Sequence, residues 1–302
     1  MIRASIDIGS NSCLLLVLEI KGESITTLES HSRITSLGKD LDVNKCFLDE
    51  SIKSTLQALS DYSNILSKYD IDSREVIVTA TEASRVANNF DDLSVPAKKD
   101  FNFEIQRISG EGEAFYTAFG VAMGVEDKSS NITIMDIGGA STELINVQLD
   151  DFKIINSVSL PIGSVRATNW IKNKAFDVEL KKILGEYELD SFKVKRLICV
   201  AGTMTTVAAI IEKMSTFNED KIQGLTFSRE SLDLLKAELE NKSGDEILEH
   251  YPICGKRAFS IYGGALVASK LSSYLNVSEF EISTYGLRYG VAIKGSIDER
   301  FI

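Results

Sequence analysis

The 302-residue sequence predicts an α/β protein of two similar domains, each a mixed sheet flanked by helices. Three observations point there. Strand-length apolar runs alternate with helix-length segments along the whole chain. The pattern Ile6-Asp7-Ile8-Gly9-Ser10-Asn11-Ser12 recurs 129 residues later as Met135-Asp136-Ile137-Gly138-Gly139-Ala140-Ser141-Thr142. With 44% hydrophobic and 25% charged residues, the chain is globular in composition and long enough for two cores.

Taken in order, residues 4–8, 13–20 and 24–29 read as three consecutive strands joined by glycine-containing turns. Residues 48–69 place Ile52, Leu56, Leu59, Ile65 and Leu66 at helical spacing. A buried strand at 75–80 leads into a short helix at 82–88. A strand at 103–108 is followed by a helix at 111–123. After the polar joint 127–130 the order restarts, with strands at 132–136, 143–148 and 153–160. A strand at 196–200 runs into a helix at 203–213. Helices at 230–240 and 255–275, a strand at 280–283 and a closing helix at 287–296 complete the chain. The repeat sets the expected boundaries: domain I is 1–118 plus 289–302, and domain II is 119–288.

Several function classes drop out on composition. A net charge of −11, with no basic tail, argues against nucleic acid and against anionic membranes as partners. No apolar run is long enough for a membrane span, and the N-terminus lacks a signal-peptide core. Four scattered cysteines without a Cys-x-x-Cys, and only two histidines, make a zinc or iron site improbable and a cytoplasmic location the simplest expectation. A polyanionic ligand would need arginines, backbone amides and a divalent cation to offset the acidic balance.

The repeated turns carry the chemistry. An apolar strand follows each, so neither is a Walker A loop or a dinucleotide fingerprint, whose glycines open helices. What remains is a strand–turn–strand hairpin in which glycine lets the backbone approach an anion and aim N–H groups at it. Either turn alone is as well explained as a tight turn; two in register are harder to explain so. Two such hairpins in similar domains can face each other across a cleft. A third strand-end turn, Ala201-Gly202-Thr203, opens a helix whose first amides can also take a phosphate oxygen.

Together these elements resemble the actin, Hsp70 and sugar-kinase superfamily, and within it the exopolyphosphatase / guanosine pentaphosphate phosphohydrolase family. The resemblance runs nearly end to end. It rests on Ser5 to Ser12, on Thr79-Ala80-Thr81-Glu82-Ala83-Ser84-Arg85, and on Ile108-Ser109-Gly110-Glu111-Gly112-Glu113-Ala114. Asp136 to Glu143, Leu160-Pro161-Ile162-Gly163-Ser164-Val165-Arg166, Gly202-Thr203 and Gly286-Leu287-Arg288 extend it. It implies two actin-like (ribonuclease H-like) domains with an interdomain cleft, in the short form that lacks extra C-terminal helical domains.

The resemblance also assigns roles. Glu113 takes the position of the catalytic glutamate, and Glu143 that of a second carboxylate placing the water or the metal. Gly9, Ser10, Asn11 and Ser12 and Gly138, Gly139, Ala140, Ser141 and Thr142 are the expected phosphate cradles, with Gly202 and Thr203. Arg85 and Arg166 supply positive charge. Asp7 and Asp136 read either as turn caps or, with Glu143, as oxygen ligands of Mg²⁺. The chain departs from the family pattern at Gly112, where a second glutamate is usual, and at Ala140, where glycine is usual.

The expectation is a Mg²⁺-assisted exophosphohydrolase that removes terminal orthophosphate from inorganic polyphosphate, guanosine pentaphosphate or both, with a homodimer left open. A non-catalytic binder of such phosphates and a small-molecule kinase of the same superfamily are the alternatives.

Overall fold

A computed structural model describes residues 1–22, 24–128 and 130–302; Ser129, within the polar joint, lies outside the described residues. The chain divides into two compact units, Met1–Gly120 with Gly286–Ile302, and Val121–Tyr285.

The first unit is built on a five-stranded sheet of order β3-β2-β1-β4-β5. Its strands are β1 (Ile2–Ile8), β2 (Ser12–Lys21), β3 (Ser24–Ile34), β4 (Ile77–Ala80) and β5 (Ile105–Arg107). β1, β2 and β3 form an antiparallel meander, while β4 and β5 run parallel to β1. The helix Asp49–Leu66 starts with Asp49 and Glu50, which favour its positive end, and buries Ile52, Leu59, Tyr62 and Leu66. Tyr62 fills the core beneath β2 and donates its hydroxyl to the Cys13 carbonyl at 2.7 Å. The helix Asp91–Phe101 has no counterpart in the sequence reading: Pro96 lies inside it, and it buries only Leu93 and Ala97, too few to print a period.

The second unit holds a six-stranded sheet of order β10-β11-β9-β6-β7-β8. Its strands are β6 (Asn131–Ile137), β7 (Thr142–Gln148), β8 (Lys153–Leu160), β9 (Arg196–Val200), β10 (Thr226–Ser228) and β11 (Glu279–Ile282). β6, β7 and β8 repeat the antiparallel meander, and β9 and β11 run parallel to β6. The duplication reaches the irregularities. β2 and β3 slip register between Val17 and Leu18, and β7 and β8 slip between Asn146 and Val147, at the same 129-residue offset as the turns.

Two expectations for this unit change. The helices Ser164–Lys172 and Phe176–Glu186 occupy a stretch left unassigned from sequence; the second anchors through Phe176, Leu180 and Ile183. The single helix expected at 255–275 is two elements, a 3₁₀ segment Pro252–Phe259 and a helix Ile261–Tyr274. Gly255 departs from helical geometry inside the first, at φ 50°, a region open to glycine.

Each unit has its own core. Ile6, Ile8, Cys13, Leu15, Leu59, Tyr62 and Phe103 belong to one, and Leu144, Cys199, Val207, Cys254, Leu271 and Phe280 to the other. All four cysteines are free thiols; Cys13, Cys199 and Cys254 are buried and Cys46 is partly exposed. Burial pushes the Cys13 and Cys199 thiols up, with Asp7 and Asp136 adding to it, and raises Cys254 to about 11. Among the described residues no helix is long and apolar enough to cross a membrane.

Candidate active site

In the first unit the C-terminal ends of the parallel strands β1, β4 and β5 lie side by side. Ile8 is paired with Ala80, the Thr81 amide reaches the Ile8 carbonyl at 3.2 Å, and the Ile108 amide reaches the Ala80 carbonyl at 3.1 Å. The loops that leave these ends carry the Gly9 turn, Thr81 to Arg85, and Ser109 to Glu113. Such an edge is where open α/β sheets bind ligands.

The Gly9 turn is closed by a hydrogen bond from the Gly9 amide to the Ser12 carbonyl at 2.9 Å. Its carbonyls are occupied from behind: Asn11 accepts from the Thr35 and Ser36 amides, and Ser10 from the Gly38 amide at 2.7 Å. Among the described residues the Ser10 and Asn11 amides donate to no backbone carbonyl. Acceptors are tied down and donors remain, which is the polarity an anion needs.

The second unit repeats this. The Gly138 amide reaches the Ser141 carbonyl at 3.0 Å, and the Gly139 and Ala140 amides again have no backbone acceptor among the described residues. The Gly138 carbonyl takes the Ser164 amide and hydroxyl, and the Gly139 carbonyl takes the Val165 and Arg166 amides. Gly163 lets these segments approach; a methyl there would stand 2.5 Å from the Gly139 carbonyl carbon and 2.6 Å from the Ala140 nitrogen. Arg166 donates Nη1 to the Ala140 carbonyl at 2.6 Å, so it braces the turn as well as charging its surroundings. The Thr142 hydroxyl points away from the turn, onto the Ile162 carbonyl at 2.5 Å.

The carboxylates are held differently. Glu113, in the first turn of the helix Gly110–Gly124, meets Arg85: Nη1 and Nη2 lie 3.3 and 3.2 Å from its Oε2, and Arg85 also donates to the Ile108 carbonyl at 2.6 Å. The structure thus joins two residues that the sequence separates by 28 positions. Asp136 and Glu143 are direct cross-strand partners, and Ser159 on β8 continues the row, donating to Glu143 Oε1 at 2.7 Å. Glu143 is 4% exposed, so the expected strand-end carboxylate is buried. Like charges directly opposite are unfavourable without a counter-charge. In the first unit the position facing Asp7 is Leu14, so only the second hairpin has the acidic pair.

Asp7 has a buried Oδ1 with no hydrogen-bond partner. Burial pushes its carboxyl up to about 7, with the Arg288 guanidinium pulling the other way. Arg288 itself donates to the Leu15 carbonyl at 3.1 Å. Within the first unit the orphaned Asp7 oxygen, and within the second the adjacent carboxylates of Asp136 and Glu143, are each hard oxygen donors of the kind a divalent cation takes. Among the described residues no three His, Cys, Asp or Glu are gathered into a ready-made metal site.

The third turn opens the helix Ala201–Ile211. Ala201 sits at φ 66°, an uncommon conformation for a residue with a side chain. The Thr205 and Thr206 hydroxyls turn back onto the Ala201 and Gly202 carbonyls, and Thr203 is buried. Arg257 went unnoticed in the sequence. Its guanidinium covers Gly202, with Nε 2.6 Å from where a methyl would stand, and only the fold brings it across 55 residues to the turn.

Turns of this kind at the strand ends of duplicated α/β units have the donor polarity that suits a phosphate-handling protein. The chain belongs to the Ppx/GppA phosphatase family, whose model matches residues 16–296. It is 34% identical over 97% of its length to the bifunctional 3-dehydroquinate synthase/phosphatase of Fusobacterium nucleatum, but spans only 46% of that protein. It is 27% identical to exopolyphosphatase 2 of Mycobacterium tuberculosis, over 96% of this chain and 97% of that one. The crystal structure of the Aquifex aeolicus Ppx/GppA family member is similar over 97% of both chains, with 25% identity and a TM-score of 0.77. The actin-like α/β architecture expected from the sequence is the one observed.

Proposed function

We propose that the chain is an exophosphohydrolase that releases terminal orthophosphate from inorganic polyphosphate or guanosine pentaphosphate, with water as the acceptor. Membership of a phosphatase family supports hydrolysis, and the likeness to an exopolyphosphatase along nearly the whole of both chains supports this substrate class. The observation that carries the reading is the Arg85–Glu113 pair, set at the same sheet edge as a turn whose amides are left to donate.

The chemistry follows from these groups. The Gly9–Ser12 and Gly138–Thr142 turns take phosphate oxygens through their amides, and the amides of Gly202 and Thr203 and the charge of Arg166 assist. Phosphoryl transfer needs positioning and charge stabilisation more than covalent chemistry. Glu113, fixed through Oε2 by Arg85, orients a water and accepts its proton as the oxygen attacks the terminal phosphorus. The bond from that phosphorus to the bridging oxygen breaks, and the shortened phosphate chain leaves with the bridging oxygen. Glu143, aligned by Ser159, is the second carboxylate. Asp136 and Glu143 on the second hairpin, and Asp7 on the first, are the carboxylates that would bind Mg²⁺, which when bound would neutralise charge on the phosphate oxygens. The four free thiols suit the cytoplasm.

The test is orthophosphate release from long polyphosphate, tripolyphosphate, guanosine pentaphosphate and ATP, each with Mg²⁺ and with chelator, and with no acceptor added. Release from the first three is expected. Release only when a hydroxyl acceptor is supplied would make the chain a kinase, and tight binding without release would make it a binding protein.

A further inference from the structure

The helix that presents Glu113 begins in an unusual way. Ser109 stands immediately before it, and the Ser109 hydroxyl accepts from the Gly112 amide at 3.2 Å, which is the first half of a capping box. The second half requires a Glu or Gln side chain at the third helical position, reaching back to the Ser109 amide. That position is Gly112, which has no side chain.

The same chain shows the complete device elsewhere. At the helix Gly244–His250, the Glu246 amide reaches the Ser243 hydroxyl at 3.2 Å, and the Ser243 amide reaches Glu246 Oε2 at 2.7 Å. At Ser109 the missing bond is made by another segment. The Ser109 amide donates to the Phe301 carbonyl, also at 2.7 Å. The Phe301 side chain occupies the room that a residue at 112 would need, for a methyl on Gly112 would stand 2.7 Å from Phe301 Cβ and 3.1 Å from Cγ. The ring packs on Phe115 and Tyr116 of the same helix, with centroids 5.2 and 5.9 Å apart. Phe301 is 6% exposed. The Tyr116 hydroxyl accepts from the Asp298 amide at 2.9 Å, and the Phe301 amide returns to the Asp298 carbonyl, so the segment is fixed to the helix at both ends.

We infer that Phe301 is a positioning residue for Glu113: its carbonyl and ring replace the capping-box glutamate that Gly112 lacks, and so fix the first turn from which the carboxylate projects. The inference rests on the proposed role of Glu113. The Glu113 amide makes the first helical bond, to the Ser109 carbonyl at 2.9 Å, so rotation of Ser109 carries Glu113 with it.

The experiment is a set of substitutions in the full chain, read by kcat and KM on tripolyphosphate and, independently of activity, by hydrogen exchange at the Ser109 amide. Phe301→Gly removes the wedge and loosens the carbonyl. It should speed Ser109 exchange about tenfold and lower kcat about tenfold, with KM within about threefold, because misplacement acts on the transition state more than on binding. Phe301→Leu keeps the segment seated and should stay within about threefold on every measure, which covers the case in which the glycine variant folds poorly. Phe301→Gly with Gly112→Glu rebuilds the capping box and should restore both exchange protection and kcat. Phe301→Gly with Gly112→Ala improves helix propensity without a carboxylate, and should restore neither.

Unchanged Ser109 exchange in Phe301→Gly would overturn the clamp. Faster exchange with unaltered kcat, or equal recovery from the alanine and glutamate partners, would overturn the positioning role. Full turnover by Glu113→Gln fails differently: it removes the parent reading, and the positioning role with it, while the exchange data still decide whether Phe301 caps the helix.

Discussion

Glu113 pairs with Arg85, so the proton chemistry proposed for it can be removed with little change of shape. Glu113→Gln keeps the size and one acceptor for Arg85. It should lower phosphate release by about two to four orders of magnitude, the usual contribution of a positioned general base, while the thermal midpoint moves little. Glu111→Gln, one helical position from Gly112 on the other side, is the control and should leave kcat within about threefold, as expected of a residue that only favours the helix dipole. Asp7 predicts the opposite balance of stability and activity. Its carboxylate is buried with an orphaned oxygen, an arrangement that costs stability unless a ligand satisfies it. Asp7→Asn should therefore raise stability in chelator, by about 1–3 kcal/mol, and abolish Mg²⁺-dependent turnover. Denaturant unfolding with and without Mg²⁺ checks both, and a variant less stable than the parent in chelator would show that Asp7 is structural.

The two glycine hairpins were the most legible elements, because a turn that must expose amides has a narrow residue vocabulary and here it is written twice. Their supports were not legible. Nothing in the order of residues says that Phe301 meets Gly112, that Arg257 covers Gly202, or that Arg166 grips the Ala140 carbonyl, since these contacts depend on tertiary packing across long separations. The helices Asp91–Phe101 and Ser164–Lys172 escaped for a related reason: each buries few residues, and the period that reveals a helix is a record of burial. The break at Ser260 is set by a local turn of the backbone, which apolar spacing does not report. One prediction belongs to this scale. Gly163→Ala puts a methyl against the Gly139 and Ala140 backbone and must displace the second turn. A loss of about 1–3 kcal/mol is expected from the overpacking, with KM for tripolyphosphate rising more than kcat falls. Unchanged KM would separate this turn from the substrate.

For the whole molecule the acidic balance dominates. A protein of net charge −11 that holds a polyanion must do so through a few local contacts and a cation, so chelator should stop phosphate release. Raising salt from about 0.05 to 0.5 M should raise KM several-fold as those contacts are screened, and turnover that persists in chelator would refute the metal assignment. The distribution of thiols has a further consequence. One cysteine is buried in the core of the first unit and two in that of the second, while Cys46 is partly exposed. Alkylation at neutral pH should consume Cys46 first, and the other three only when their surroundings open. Peptide mass spectrometry of a labelling time course in mild denaturant then acts as a pair of clocks, one for each unit. If Cys13 falls behind Cys199 and Cys254, or runs ahead of them, the duplicated halves melt as separate cooperative bodies; if all three are modified at one rate, the duplication behaves in unfolding as a single unit.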